Sequence, residues 1–260
     1  MKINYDEIKI LVCCHKQVDL PKNELFLPIQ VGAAIADNHW GIQRDDESSG
    51  IKCDNISDKN QNYCELTAIY WAWKNIKKLY PNIKYVGLCH YRRFFSNINK
   101  CLLRINEKTA FIPNFWYTPY SCMDAYKIAH PCVDFEILKN VISEKFPEYT
   151  RTFEDILVYN NRNSVYNMFI MPINHFDNYC SWLFDILEEV ERRVNIDTYD
   201  FYQKRIFGFM SERLLLVYLV HNKINYKNVD VVGPEKQIKL KTFINNVRFN
   251  IAYFLGKKRK

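Results

Sequence analysis

Apolar segments of strand length alternate with segments of helical periodicity along this chain, and this alternation constrains the fold more than any other feature. The strand-like segments, which are short, apolar and partly β-branched, are residues 8–14, 85–90, 110–113 and 167–172. The amphipathic helical segments are residues 66–80, 134–146 and 176–190. Strands that alternate with helices predict an α/β fold with a mainly parallel sheet flanked by helices.

Capping residues predict where two helices begin. Asn62 and Glu65 stand three residues apart before the helix at 66–80, which is the spacing of an N-cap and its N3 partner. Ser211 is predicted to cap a mostly buried helix that follows a loop at Gly208. Glu65 therefore has a structural explanation as a capping residue. Glu212 has one as a first-turn carboxylate favoured by the helix dipole.

Composition excludes several classes of protein. The 260 residues are 48% hydrophobic and 25% charged, which suits one large domain or two small ones. Part of the net charge of +7 comes from residues 257–260 (Lys-Lys-Arg-Lys), so the body is mildly basic and we expect no nucleic-acid partner. The start of the chain lacks a signal-peptide pattern, and no apolar run reaches the roughly 18 residues of a membrane span. Nine scattered Cys residues without a Cys-x-x-Cys pair predict reduced thiols in the cytoplasm.

Polar and charged side chains follow two of the predicted strands. His15 and Lys16 follow the first strand, and His90-Tyr91-Arg92-Arg93 ends the strand that begins at Tyr85. Ligands of open α/β sheets bind outside the carboxyl ends of the strands, so these groups are predicted to share one rim. The chain has no glycine-rich phosphate loop, and arginine forks match phosphate oxygens well. The alternative is that both arginines are structural: the methylene groups of one pack on apolar surface, and the other forms an ion pair with a carboxylate.

A polar, turn-rich stretch at residues 37–60 separates these two strands. A stretch of this length without an obvious element is typical of a binding loop or of disorder. It contains Asp54 and Asn60, and Lys59 would add a cation for a diphosphate. A strand, a polar loop, a helix and a second strand that ends in cations form the layout of a nucleotide-diphosphate-sugar site on an α/β sheet.

Five segments, in chain order, carry a resemblance to a known family. They are residues 54–60 (Asp-Asn-Ile-Ser-Asp-Lys-Asn), 63–75, 87–94 (Gly-Leu-Cys-His-Tyr-Arg-Arg-Phe), 167–170 and 208–214 (Gly-Phe-Met-Ser-Glu-Arg-Leu). In these segments the chain resembles the DUF4422 family of bacterial capsular and exopolysaccharide glycosyltransferases, some of which are galactofuranosyltransferases. The resemblance implies a GT-A-like, Rossmann-like fold, a UDP-linked sugar donor and a lipid-linked glycan acceptor.

The resemblance also implies where the donor binds. The donor-binding residues are expected to be His15, Asp54, Asn55, Lys59, Asn60, His90, Tyr91, Arg92 and Arg93. Many GT-A enzymes hold the donor diphosphate through a metal bound by Asp-x-Asp, but this sequence contains no such motif. His90-Tyr91-Arg92-Arg93 stands at the corresponding place. We therefore expect no cofactor, with fixed cations replacing the metal as stabiliser of the leaving UDP; a bound divalent metal is the alternative.

Glu212 is the first candidate for a catalytic base, with Arg213 beside it to keep it ionised. If the anomeric configuration inverts, a carboxylate must take the proton of the acceptor hydroxyl. Glu65 is the second candidate. The predicted acceptor contacts are Asn167, Trp71, His130 and Arg213, although Asn167 also suits a strand edge. Tyr70 and Trp73 lie on the helical stripe that is predicted to face the core, whereas Trp71 lies off it.

The last 25 residues, 236–260, form a predicted basic amphipathic extension of a domain at residues 1–235. Apolar residues between Phe243 and Leu255 have helical spacing, which suits an interfacial helix on anionic lipid or a core helix with a solvated tail. The sequence predicts a cytoplasmic, peripherally membrane-bound enzyme that moves a hexose, galactofuranose among the candidates, onto a lipid-linked capsular, exopolysaccharide or O-antigen intermediate. The alternative is a non-catalytic module that binds a glycan or a nucleotide.

Overall fold

The computed structural model of the protein describes residues 4–20, 23–233 and 239–257. Its strands are β1 Ile8–Cys14, β2 Phe26–Gln30, β3 Gln43–Arg44, β4 Glu47–Ser48, β5 Ile51–Lys52, β6 Tyr85–His90, β7 Phe94–Phe95, β8 Thr109–Pro113, β9 Trp116–Tyr117, β10 Arg162–Asn163, β11 Phe169–Pro172, β12 Asn225–Val229 and β13 Val231–Val232. Its α-helices are α1 Asn60–Tyr63, α2 Leu66–Leu79, α3 Ile98–Leu102, α4 Cys122–Ala129, α5 Cys132–Lys145, α6 Thr150–Phe153, α7 Ile173–Arg193, α8 Ile206–His221 and α9 Lys239–Lys257.

A seven-stranded sheet in the order β12-β8-β11-β6-β1-β2-β3 forms the centre of the molecule. All neighbouring strands in it are parallel except the two pairs that involve β11. The predicted α/β fold with a mainly parallel sheet is therefore confirmed. Because β11 runs the other way, the chain entering it lies beside the end of β6, and Phe169 pairs with Leu88. This reversal brings residues 166–167 next to His90.

The central strands of the sheet are buried on both faces, which explains their nearly continuous apolar content. All seven residues of β1 are buried. Leu11 and Cys13 face the larger core, which includes buried residues of α2, α5, α7 and α8, while Ile8 and Ile10 face a smaller core on the other side. This alternation follows from the two-residue period of a strand. The carboxyl ends of β1 and β6 are thereby fixed between two packed layers.

The predicted capping interactions of two helices are absent from the part of the chain that the structure describes, although α2 begins at Leu66 as predicted. Glu65 is the N-cap residue of α2, and its side chain makes no capping hydrogen bond. The amide of Asn62 donates instead to the carbonyl of Lys204, 2.9 Å away. α8 begins at Ile206, and Ser211 lies inside it, donating to the Gly208 carbonyl. Every residue from 206 to 211 is buried, so tertiary packing starts this helix earlier than the capping pattern indicates.

The stretch at residues 37–60, predicted as a binding loop or as disorder, is held together by a buried carboxylate. Asp45 accepts hydrogen bonds from the backbone N–H groups of Gly32 (2.8 Å) and Ala33 (3.0 Å) and from the Ser57 hydroxyl. The short strands β3, β4 and β5 lie in this stretch, and β3 extends the main sheet. Asp45 thus ties the loop to the turn that follows β2.

The helix α9 packs on the domain near β9, and its Tyr253 is buried. The predicted domain boundary at 235/236 falls within residues 234–238, outside the described residues, and stays a prediction. The basic residues 258–260 also lie outside them. Among the residues that the structure describes, no helix combines the length and the apolar content that crossing a bilayer requires.

Candidate active site

A cavity of about 480 Å³ lies at the carboxyl ends of β1 and β6. We call it the charged cavity, because ionisable and aromatic side chains dominate its walls. Its lining residues are Cys13, His15, Val31, Asn60, Gln61, Cys64, Glu65, His90, Tyr91, Arg92, Arg93, Tyr166, Phe201, Arg205 and Glu212. His15 and the residues of the His90 turn, predicted to share one rim of the sheet, line the same cavity.

Backbone hydrogen bonds place the His90-Tyr91-Arg92-Arg93 turn at this rim. β6 pairs with β1 up to the register Cys13 with His90. The chain then reverses, because the N–H of Arg93 donates to the His90 carbonyl (3.0 Å) and the N–H of His90 to the Arg93 carbonyl (3.1 Å). The N–H of Tyr91 donates to the Cys13 carbonyl, 3.0 Å away. The tips of these side chains therefore project from a fixed turn at the end of two central strands.

The mouth of the charged cavity is electropositive. Burial and the nearby cations Arg92, Lys16 and Arg205 lower the pKa of His15 below its usual value. Arg205, which lies just before α8, donates from Nε to the Sγ of Cys64 at 3.3 Å. No sequence pattern had indicated Arg205. Several cations that converge on one concave surface form an anion-binding site, since each can donate charge-assisted hydrogen bonds.

Glu212 is held by two hydrogen bonds at the wall of this cavity. Its Oε1 accepts from the backbone N–H of Tyr166 (3.0 Å) and its Oε2 from the guanidinium of Arg213 (3.0 Å). Burial raises the pKa of Glu212 and the negative charge of Glu65 adds to the rise, while Arg213 opposes both. A carboxylate with a raised pKa is suited to take up a proton during a reaction.

Glu65, the second carboxylate of the charged cavity, is oriented by Asn167. The Nδ2 of Asn167 donates to the Oε1 of Glu65 at 2.8 Å and also contacts the Gly208 carbonyl at 3.3 Å. Asn167 itself is buried. The structure therefore corrects two predictions: the Glu65 side chain faces the cavity and makes no capping hydrogen bond, and Asn167 is buried against Glu65 and Gly208 instead of lying open to an acceptor.

Strained backbone conformations cluster at the charged cavity. Tyr166 and Asn167 have φ angles of 77° and 51°, and Cys64 has a φ angle of 52°. Left-handed values are uncommon for residues other than glycine and often mark functional sites. The Tyr166 carbonyl accepts a hydrogen bond from the Nε2 of His90, at 2.7 Å, so that nitrogen carries the hydrogen. One residue with a strained backbone, Tyr166, thus contacts both His90 and Glu212.

A second cavity, of about 370 Å³, adjoins the charged cavity at Tyr166 and Glu212. We call it the aromatic cavity; its walls are formed by Trp116, Thr118, Cys122, Ala125, Asn161, Asn163, Val165, Tyr166, Glu212 and Arg213. Asn163 donates from Nδ2 to the Glu212 carbonyl, which identifies its other side-chain atom as the acceptor Oδ1. That Oδ1 is buried and accepts no hydrogen bond within the described residues. Buried polar atoms without partners are rare and call for an explanation such as a ligand.

The residues predicted in the loop before α2 lie mostly outside both cavities. Asp54 is exposed and accepts from the Tyr70 hydroxyl, while Asn55 makes hydrogen bonds within the loop. Lys59 pairs with Glu191, with Nζ and Oε2 2.8 Å apart. Asn60 lines the charged cavity, where its amide donates to the Cys64 carbonyl. Of the predicted donor contacts in this loop, Asn60 alone is among the residues that line this cavity.

Two of the predicted acceptor contacts are packed inside the protein instead. Trp71 is fully buried, and its indole N–H donates to the Glu47 carbonyl. His130 is also buried, hydrogen-bonded to Gln203 and stacked on Phe209. The helical spacing placed Trp71 off the core stripe, but its indole contacts the stretch that contains Glu47, which lies outside the pattern of the helix. Arg213 does line the aromatic cavity.

Comparison with known proteins places the chain in a family. Residues 9–223 match the family described as domain of unknown function DUF4422. No curated protein matches the chain. Its structure is similar to the apo structure of WbbM, a bifunctional glycosyltransferase, with a TM-score of 0.75 and 24% identity over 88% of this chain and 46% of that chain. The chain thus spans less than half of WbbM, and the likeness shows a shared GT-A-like fold. The chain belongs to the DUF4422 family.

Proposed function

We propose that this protein is a glycosyltransferase that moves a sugar from a UDP-linked donor to a glycan acceptor. The observation that carries the proposal is the position of Glu212, on the wall shared by the charged and aromatic cavities. A transferase needs this arrangement, because its base must reach an acceptor hydroxyl on one side and face the reacting carbon of the donor on the other. The fold shared with WbbM, described as a bifunctional glycosyltransferase, supports the proposal.

In this proposal the diphosphate of the donor binds in the charged cavity. Arg92 and Arg205 donate to its oxygens, and His15 adds a donor at the same rim, while His90, bound through Nε2 to the Tyr166 carbonyl, holds the turn that carries Arg92. Arg92 is exposed, and among the residues that the structure describes no carboxylate forms an ion pair with it. Fixed cations at the leaving group stabilise the negative charge that develops on UDP, which is the task that a metal performs in Asp-x-Asp enzymes. We therefore propose that transfer proceeds without a divalent metal.

The proposed chemical step is a direct displacement. The acceptor hydroxyl oxygen attacks the anomeric carbon, the bond from that carbon to the UDP oxygen breaks, and the hydroxyl proton moves to Glu212. UDP leaves with the bonding electron pair, beside the cations of the charged cavity. This step inverts the anomeric configuration. Arg213 and the N–H of Tyr166 keep the carboxylate oriented toward the aromatic cavity between turnovers.

We further propose that the acceptor is attached to a lipid and that α9 contacts the cytoplasmic face of the membrane. Ile244, Val247, Ile251, Phe254 and Leu255 on α9 are exposed. The sequence after them is Lys-Lys-Arg-Lys, and each basic residue near an anionic surface contributes about 1 kcal/mol of attraction. An exposed apolar face that ends in cations suits a helix lying in the membrane interface. Galactofuranose is one candidate for the transferred sugar, and a capsular, exopolysaccharide or O-antigen intermediate is the proposed acceptor.

The experiment that tests this function measures release of UDP from a panel of UDP-sugars that includes UDP-galactofuranose, with and without EDTA. We expect one donor to be hydrolysed and its turnover to survive EDTA. Loss of turnover that only added Mn²⁺ restores would refute the metal-free proposal. Tight binding of UDP, measured by calorimetry, with no turnover of any donor would favour the alternative of a non-catalytic nucleotide-binding module.

A further inference from the structure

A third cavity continues the aromatic cavity away from Glu212. This distal cavity, of about 240 Å³, shares Trp116, Val165 and Tyr166 with the aromatic cavity. Its far wall is formed by Thr242 and Asn246 of α9. These two residues stand four apart and so face the same side of the helix. Two cavities that share a wall of three residues can hold one ligand that passes from the first into the second.

The distal cavity has the chemistry of a neutral, polar ligand. The described residues that line it include aromatic rings, the side-chain amides of Asn114 and Asn246 and the carboxylate of Asp230, but no Lys or Arg. A phosphate would find no cation in this lining, in contrast to the charged cavity. The Asn114 amide donates to the Asp230 carboxylate, and a lipid chain would displace water from the remaining polar groups, the Asn246 amide and the Thr242 hydroxyl, which costs free energy.

We infer that the distal cavity is a second sugar subsite for the acceptor, which deepens the proposed function and rests on it. The reacting sugar occupies the aromatic cavity and the sugar that precedes it occupies the distal cavity. Trp116, 50% exposed, borders both and presents an aromatic surface to the apolar face of a sugar ring. The distal cavity has room for on the order of ten water-sized groups, which is about the size of one hexose.

The subsite also assigns a role to α9. The family match ends at residue 223, whereas Thr242 and Asn246 lie beyond it. The distal cavity is therefore completed by a segment that the family pattern does not include. The preference for the second sugar of the acceptor then depends in part on α9, which lies outside the segments around Glu212.

The test compares acceptors of one and two sugars. The full chain is assayed with p-nitrophenyl glycosides of galactose, glucose and mannose that carry one or two residues, using the UDP-sugar that it hydrolyses. We expect the two-residue form of the accepted sugar to have a KM about tenfold lower, the effect of one good aromatic contact. Equal KM values for the two lengths would overturn the subsite while leaving the proposed transfer intact.

Variants of α9 then locate the effect. Asn246→Ala is expected to reduce the tenfold preference to about twofold, with the KM of the one-residue acceptor and donor hydrolysis unchanged. Asn245→Ala is the matched control, because Asn245 is on the same helix but does not line the cavity. It is expected to keep the full preference. Identical behaviour of the two variants would contradict the assignment.

A binding measurement makes the inference independent of turnover. In saturation-transfer NMR with the same glycosides, both residues of the two-residue ligand should receive saturation from the wild-type protein. In Asn246→Ala the signal of the second residue should fall relative to the first. If no UDP-sugar turns over, the proposed function fails, but this experiment still decides whether the cavity binds a second sugar. Saturation of one residue only in the wild type would overturn the inference.

Discussion

The charged and aromatic cavities share Glu212 and Tyr166 but differ in chemistry and in construction. The charged cavity collects cations, including Arg92 and Arg205, at the ends of two central strands. The aromatic cavity is lined by an indole, hydroxyl and amide groups and a single guanidinium. The first suits an anionic leaving group and the second a neutral polyhydroxyl ligand. In the proposed function this difference sets the direction of transfer, from a donor in the charged cavity to an acceptor in the aromatic cavity, with Glu212 between them.

The largest expected effect comes from removing the shared base. Glu212→Gln keeps the size of the side chain but cannot take a proton, so we expect transfer to fall by about 10² to 10⁴-fold. Binding of UDP, measured by calorimetry, should change little, because the cations of the charged cavity remain. Glu65→Gln serves as the comparison and should cost less. Near-normal turnover in Glu212→Gln would show that Glu212 is not the base and that the wall shared by the two cavities is not where the reaction occurs.

The next effect tests the charged side alone. Arg205→Gln removes one fixed cation near the proposed leaving group and is expected to lower kcat about 10²-fold for both hydrolysis and transfer. The KM for the acceptor should stay the same, since Arg205 does not line the aromatic cavity. Arg151→Gln, which changes an arginine on α6 whose side chain is 93% exposed, is the control. A rise in acceptor KM in Arg205→Gln would contradict the assignment of the donor to the charged cavity and the acceptor to the aromatic cavity.

The pH dependence of kcat/KM should change less than these rates, but the direction of each change can be predicted. Burial and Glu65 raise the pKa of Glu212, and the base must be ionised, so the acid limb of kcat/KM should lie above the usual range of a glutamate. Removing the charge of Glu65 by Glu65→Gln should move that limb to lower pH. Removing the opposing cation by Arg213→Gln should move it to higher pH. Shifts in the same direction would show that Glu212 is not the titrating group.

The smallest kinetic effect is expected at Trp71, which belongs to neither cavity. Trp71→Phe loses the hydrogen bond to the Glu47 carbonyl and part of the buried ring, so the free energy of unfolding should fall by about 1–3 kcal/mol. Donor and acceptor KM values should remain within about twofold of wild type. Denaturant unfolding and steady-state kinetics on the same preparation check both outcomes. A selective loss of ligand affinity would restore Trp71 as a contact residue.

Local sequence patterns predicted the elements that lie in the core. The strands at Ile8–Cys14 and Tyr85–His90 and the helices α2, α5 and α7 were recognisable because burial imposes a periodic apolar pattern on them. The start of α8 and the short strands β3 to β5 were not. Buried contacts from other segments override capping signals, and two-residue strands have no period to detect. The prediction that the Glu65 side chain caps α2 was wrong because that side chain contacts Asn167, from a distant segment, instead.

The two cavities differed in how far sequence could predict them. The rim of the charged cavity follows from two strand ends, and the carboxyl ends of parallel strands meet at one edge of a sheet. The aromatic cavity joins residues from β9, α4, the segment at 161–166 and α8, which are far apart in the chain. Trp116, Asn163 and Arg205 stand in no motif that a single sequence reveals. Their roles depend on packing, which sequence patterns do not encode locally.

Three features follow from local sequence: the α/β sheet, the cationic turn at His90–Arg93 and the membership of the DUF4422 family, because strand content, strand ends and motif order are local properties. The contacts between distant residues, in contrast, depend on the assembled fold. The antiparallel direction of β11 brings Tyr166 and Asn167 beside His90, and their strained backbone orients Glu212 and Glu65. Long-range packing fixes such contacts, since the side chains that form them have no reason to be neighbours until the sheet and its helices have assembled.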